Sequence, residues 1–227
     1  MEVLQDDLCF ILDLEGFFLN KTFHVRELAY YTWNGEHGRH AFLIPVPYKN
    51  LSDKDKRTVN FVRRKINGLT YQPIQAEHFQ NVKVLDELIK DIYVMYKGCS
   101  SGERTVVGYK GGHVEKDLLK KMNIPCLNLE TLGCPKYDKL RQIIPKNTLL
   151  SSCGFHADDN VHHCPVTECH AFWCWYKSFI ANTWRFMKNF LNCQFYVWSL
   201  TFERCGGTPK NPGKLTCVVY VLLIALQ

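Results

Sequence analysis

The first regular segment of the chain reads CFILDLEG (residues 9–16), an apolar run that carries two carboxylates before a glycine. The apolar residues predict a buried strand, and side chains two positions apart on a strand point to the same face of its sheet. Asp13 and Glu15 therefore share a face near the end of this strand. Paired carboxylates are the ligands that hard divalent cations such as Mg²⁺ prefer.

Two more strands follow at 23–33 and 39–44, separated by turn residues 34–38 and stopped by prolines 45 and 47. Helices are then predicted at 52–66, 82–96, 113–122, 135–143 and 165–190, with strands at 104–109 and 124–129. A meander followed by alternating helices and strands, βββαβαβα, predicts an α/β fold. We expect a mixed five-stranded sheet flanked by helices.

The predicted domain covers residues 1–200, and 201–227 form a C-terminal appendage. The apolar run at 215–226 is shorter than the roughly 20 residues that a membrane span requires. The first residues lack the basic and apolar regions of a signal peptide. These features predict an intracellular protein, nuclear or cytoplasmic, without a membrane anchor.

The net charge bears on the kind of partner, and the cysteine content bears on the presence of disulfides or a metal site. The formal net charge of +6 is compatible with an anionic partner such as nucleic acid. Eleven cysteines without a secretory signal argue against a disulfide framework. Four cysteines and four histidines lie within residues 153–174, a cluster that metal binding would explain.

The predicted metal ligands are Cys134, Cys153, His156 and Cys164. Cys153 and His156 are separated by two residues, so both can bind one ion. Three thiolates and an imidazole form a common tetrahedral zinc site. We therefore expect a structural zinc in this region.

Three motifs resemble those of the DEDDh 3′–5′ exonucleases, which have a ribonuclease-H-like fold. The first is FILDLEG at 10–16, and the second is VVGYKGGHVEKDLL at 106–119, where Glu115 takes the place of the family's Asp and Asp117 is the other candidate. The third is His163, four residues, then Glu168 in place of Asp. The resemblance implies that Asp13, Glu15, Glu115 and Glu168 hold magnesium or manganese. It also implies that His163 acts as general base on the attacking water.

The Cys/His pattern is also similar to the Maelstrom domain, a relative of these nucleases that carries a Glu-Cys-His-Cys zinc site. The matching positions are Cys153, His156 and Cys164. Glu130 is a candidate for the glutamate, but Cys134 is preferred because a thiolate suits zinc better. The chain departs from that family by keeping Asp13 and Glu15.

Two sets of side chains suggest contact with single-stranded nucleic acid, RNA being favoured over DNA. Aromatic residues interleaved with basic ones occupy the last predicted helix, which also suits a helix packed on the sheet. These are Phe172, Trp173, Trp175, Tyr176, Phe179, Trp184 and Phe186, with Lys177, Arg185 and Lys188. The first helix is basic, either as a phosphate-facing patch or as a solvated face. Its cations are Lys54, Lys56, Arg57, Arg63, Arg64 and Lys65.

The function predicted from these features is binding or processing of nucleic acid by a degenerate, metal-dependent exonuclease or ribonuclease. The alternative is a catalytically inactive, zinc-stabilised module that binds protein partners. The sequence leaves open which of the two applies.

Overall fold

The computed structural model describes residues 7–71, 79–98, 104–145, 148 and 163–204, with side chains in the last range described as far as residue 186. The chain divides into two compact units, Met1–Asn182 and Thr183–Gln227. The predicted appendage at 201–227 lies almost entirely outside the described residues. So do Cys153 and His156 of the predicted zinc site.

The elements follow the predicted order closely. The strands are β1 (Leu8–Leu19), β2 (Thr22–Thr32), β3 (His37–Leu43), β4 (Phe79–Asn81), β5 (Val106–Tyr109) and β6 (Cys126–Asn128). The α-helices are α1 (Asp53–Val62), α2 (Leu85–Tyr96), α3 (His113–Lys121), α4 (Tyr137–Ile143) and α5 (Pro165–Arg204). A π-helical turn, Arg63–Asn67, extends α1 and ends at Gly68 in the left-handed conformation (φ 67°).

Within the described part of the chain, the strands form one mixed sheet of six strands in the order β4-β3-β2-β1-β5-β6. β2 runs antiparallel to β1 and to β3, whereas β5 is parallel to β1, β6 to β5 and β4 to β3. The prediction of five strands was therefore wrong by one. β4 has three residues, too few to show an alternating pattern, and is defined by its pairing with β3.

The hairpin of β1 and β2 contains a bulge that sets the geometry of the site. From the turn at Asn20 and Lys21 the strands pair regularly as far as Gly16, which lies opposite Val25. The register then shifts, so that Glu15 lies opposite Glu27. A Cβ at position 16 would overlap the carbonyl oxygen of His24, which explains the glycine at this close approach.

Each face of the sheet is covered by helices. Phe10, Leu12 and Leu14 of β1 point to a buried cluster that includes residues of α2 and α3. Ile11 points the other way, into a cluster built from α4 and the first part of α5. Since strand side chains alternate, Asp13 and Glu15 lie on the Ile11 face, beneath the start of α5.

Candidate functional site

Asp13 lies at the centre of a group of carboxylates. It is paired with Ala29 across the hairpin, and the thiol of Cys169 on α5 reaches the Ala29 carbonyl at 3.7 Å. The first turns of α5 therefore lie directly over this part of the sheet. Oδ2 of Asp13 is buried, and no hydrogen bond to it occurs among the described residues.

The pKa of Asp13 is raised well above the usual range of an aspartate. Burial is the largest cause, because a charged carboxylate loses its hydration. The negative charges of Glu168, Glu15, Glu115 and Glu27 raise the pKa further, in that order. The charges of the three predicted glutamates therefore all act on Asp13.

α3 contributes Glu115 rather than Asp117. Glu115 is 7% exposed in the first turn of the helix, whereas Asp117 is exposed and lines a groove beside Lys121. Burial raises the pKa of Glu115, while backbone hydrogen bonds at Glu115 and Leu14 lower it in part. Leu14 is next to Asp13 in β1, which places the Glu115 carboxylate beside the first motif.

α5 contributes Glu168 and holds it against His163. Glu168 is 8% exposed in the first turn of α5, and its Oε1 lies 2.7 Å from Nδ1 of His163. The ring of His163 lies 5.9 Å from that of Tyr137 on α4, centroid to centroid. The His163 and Glu168 side chains of the predicted third motif are thus hydrogen-bonded to each other.

Glu15 is held at the rim of the group by a residue that sequence reasoning did not select. Nδ2 of Asn67 donates to Glu15 Oε2 at 2.8 Å, and Asn67 Oδ1 accepts from the Leu69 amide at 3.1 Å. Asn67 is fully buried at the end of the π-helical turn. Its place beside Gly68 identified a helix end in the sequence but gave no sign of this contact.

Glu27 is a fifth acid that sequence reasoning missed. It is fully buried on β2 and forms an ion pair with Arg39 of β3. Glu15 pairs with Glu27 because of the bulge before Gly16, and no local sequence pattern indicates this bulge. The acidic group is therefore bordered on this side by a cation.

The acidic group fits a hard divalent cation in the kind of donor that it offers. Its donors are carboxylate oxygens, and the buried Oδ2 of Asp13 is an acceptor that meets no donor among the residues described. In the described part of the chain, however, no three His, Cys, Asp or Glu side chains are placed to hold a metal ion. Two of the acids bind other side chains here: Asn67 binds Glu15, and His163 binds Glu168.

Two of the four predicted zinc ligands are described. Cys134 and Cys164 are both buried and belong to the same core cluster, which α4 and α5 help to build. Burial raises the pKa of Cys134 to about 12, and its thiol donates to the Pro135 carbonyl at 3.6 Å. Glu130, the alternative ligand, is exposed and forms an ion pair with Lys110 at 2.9 Å.

The aromatic residues at the start of α5 pack mainly in the core. Phe172, Trp173 and Tyr176 are buried, and Trp175 stacks on Phe179 at 5.2 Å. Trp184 and Phe186 are exposed. The buried members of the predicted nucleic-acid surface therefore stabilise the fold instead.

Comparison with known proteins adds no family. The sequence matches no protein-family model, and no curated protein matches it significantly. Among the helices that the structure describes, none is both long and apolar enough to cross a membrane.

Proposed function

We propose that the chain is a ribonuclease-H-like domain that binds single-stranded nucleic acid, RNA in preference to DNA, and cleaves it with a divalent cation. The observation that carries the proposal is the convergence of Glu115 from α3 and Glu168 from α5 on the buried carboxylate of Asp13. The three-stranded antiparallel meander, with parallel strands added beside β1, supports the fold assignment.

Asp13, Glu15, Glu115 and Glu168 would hold Mg²⁺ or Mn²⁺. The cation would supply positive charge for the phosphodiester oxygens as negative charge develops on them. Both glutamates that replace the family's aspartates are buried, and both charges act on Asp13. Each glutamate is one methylene group longer than aspartate, and its charge still acts on the first motif.

His163 would serve as the general base. If its Nδ1 donates to Glu168 Oε1 at 2.7 Å, the neutral ring has its lone pair on Nε2. Nε2 would then take the proton of the attacking water, and the carboxylate would stabilise the imidazolium that forms. Glu168 thus connects the proposed base to the acidic group.

The test is a cleavage assay on the full chain with end-labelled single-stranded RNA and DNA, in Mn²⁺ or Mg²⁺. The wild type is compared with Asp13→Asn and with Asp117→Asn, a matched control in which an exposed acid of α3 is changed. We expect cation-dependent cleavage, faster on RNA, that falls by about 100-fold or more in Asp13→Asn and persists in Asp117→Asn. Equal cleavage by Asp13→Asn and the wild type would refute the proposed site.

A second candidate function, a non-catalytic protein-interaction module stabilised by zinc, is favoured by one observation. Glu15 and Glu168 are each held by another side chain, and the raised pKa of Asp13 favours its protonated form. Absence of cleavage by a zinc-containing wild type, with either nucleic acid and either cation, would favour this candidate.

A further inference from the structure

An open pocket of about 340 Å³ lies between α1, the π-helical turn and the segment that follows it. It is lined by Tyr48, Val59, Asn60, Arg63, Thr70 and Tyr71. Its volume is at the lower end of the range of about 300–1,000 Å³ that small-molecule sites occupy. A single planar ring is therefore an occupant of suitable size.

Two aromatic rings form the walls of this pocket. Tyr48 and Tyr71 lie 5.5 Å apart, centroid to centroid, at an angle of 63°. Tyr71 is held in place from behind, because its hydroxyl donates to the Val46 carbonyl at 2.7 Å and Phe17 packs on its ring at 5.5 Å. The Tyr71 side chain is thus held in one conformation before a ligand binds, which reduces the conformational entropy lost on binding.

The polar groups of the pocket suit the edge of a nucleobase. Asn60 Nδ2 donates to the Tyr48 hydroxyl at 3.2 Å, so this hydroxyl can donate its own hydrogen to a ligand. Arg63 is exposed, and no ion pair to it occurs in the part of the chain that the structure describes. A carboxamide, a phenol and a guanidinium offer donors and acceptors to the base edge and the phosphate.

The surface around the pocket is strongly basic. Residues 53–67 contain six Lys or Arg side chains against two carboxylates. Five of the six cations are exposed, as a polyanion requires. A basic surface beside aromatic rings is the combination by which proteins hold single-stranded nucleic acid.

The pocket is joined to the acidic group through two contacts. The π-helical turn begins at Arg63, in the pocket wall, and ends at Asn67, which binds Glu15. Phe17, two residues after Glu15 on β1, packs against Tyr71. A single-stranded nucleic acid bound at the acidic group would therefore have a neighbouring nucleotide near this pocket.

We infer that the pocket binds one nucleobase of a single-stranded nucleic acid, stacked on Tyr48, with Arg63 on the adjoining phosphate. This inference rests on the proposed function, because the pocket would bind a base of the same nucleic acid that the acidic group cleaves. Of the two readings of the basic first helix, the phosphate-facing patch and the solvated face, the inference selects the first.

The test measures binding by fluorescence anisotropy, with labelled eight-nucleotide single-stranded RNA and DNA in the presence of EDTA. Tyr48→Leu removes the ring, Tyr48→Phe keeps it, and Arg63→Gln is matched by Arg64→Gln, which changes an exposed cation outside the pocket. We expect Tyr48→Leu to weaken binding roughly 5- to 150-fold, and Tyr48→Phe, which keeps the ring and loses only the hydroxyl, to weaken it less. Arg63→Gln should weaken binding more than Arg64→Gln.

A second set of probes, each with one abasic nucleotide, separates base binding from contact with the backbone. At one position the missing base should weaken binding by the wild type and have little further effect on Tyr48→Leu. The inference is overturned if neither probe binds, or if Tyr48→Leu and Arg63→Gln bind like the wild type. Since Arg63 is exposed, Arg63→Gln remains informative if Tyr48→Leu does not fold.

The outcomes distinguish this inference from the proposed function. Binding that depends on Tyr48 and Arg63, without cleavage in Mn²⁺, supports the pocket and refutes the nuclease. Cleavage that depends on Asp13, with binding unaffected by the pocket variants, supports the nuclease and refutes the pocket.

Discussion

Glu15 of β1 and Glu27 of β2 lie directly opposite each other, because a bulge before Gly16 shifts the register of the hairpin by one residue. Without the bulge, Arg26 would lie opposite Glu15. Arg26 is instead buried and donates to the carbonyl oxygens of Thr70 and Phe42. The bulge thus exchanges a cation for a carboxylate beside Asp13.

Gly16→Ser should destabilise the fold and disturb this register. A Cβ at position 16 overlaps the His24 carbonyl oxygen, so the strands must separate there. We expect a loss of about 1–3 kcal/mol in the free energy of unfolding, measured with denaturant. Gly112→Ser is the matched control, because a Cβ there meets nothing closer than 3.8 Å and serine suits the start of a helix. Equal losses in both variants would contradict this account of the bulge.

Asp13→Asn should stabilise the metal-free protein, and more so as the pH rises. The folded-state pKa of Asp13 is raised, so the folded protein keeps a proton that the unfolded chain releases. The protonated Asp13 therefore contributes its full stability below the pKa that Asp13 has in the unfolded chain. This contribution is lost as the pH rises through the pKa that Asp13 has in the folded protein. Thermal unfolding at a series of pH values should show a small difference between variant and wild type in acid and a growing one towards neutral pH. A difference that does not change with pH would speak against a buried, charge-repelled carboxylate.

His163→Ala should reduce the rate of cleavage far more than the affinity for substrate. A positioned general base contributes roughly 100- to 10,000-fold to the rate. We expect kcat to fall within that range while KM changes little, measured on single-stranded RNA in Mn²⁺. His24→Ala is the control, since its side chain lines the groove beside Asp86 and Lys121 instead. Similar kcat values for both variants would exclude His163 as the base.

The purified chain should contain one zinc ion if Cys134, Cys153, His156 and Cys164 form the predicted site. Cys153→Ser should lose it, whereas Cys126→Ser should keep it, because Cys126 of β6 is not one of the four. After a chelator has removed the zinc, the thiol of Cys134 should be protonated at neutral pH, because burial raises its pKa to about 12. Elemental analysis checks the metal content, and a folded wild type without zinc would rule out the site.

The order of elements could be predicted because each has a strong local signal. CFILDLEG identifies the buried part of β1, and proline 165 marks the start of α5. The apolar spacing in α2 and α3 distinguishes them from strands. These signals also placed His163 and Glu168 at the start of α5, whereas β1 runs to Leu19, so Asp13 lies within the strand and not near its end as predicted.

Other features depend on contacts between distant residues and left no local signal. The choice between Glu115 and Asp117 depends on the rotation of α3 against β1, which packing decides. Asn67 reaches Glu15 across 52 residues of sequence. β4 exists through its pairing with β3, and the bulge before Gly16 is set by the packing of the hairpin.

Mn²⁺ binding by the metal-free chain shows directly whether the acids around Asp13 form a divalent-cation site. Electron paramagnetic resonance reports the free ion as Mn²⁺ is added near pH 8, where the raised pKa of Asp13 opposes binding least. If these acids hold the cation, wild type and Asp117→Asn should bind Mn²⁺ alike, and Asp13→Asn should bind it at least about tenfold more weakly. Equal binding by wild type and Asp13→Asn, or no binding by the wild type, would contradict such a site.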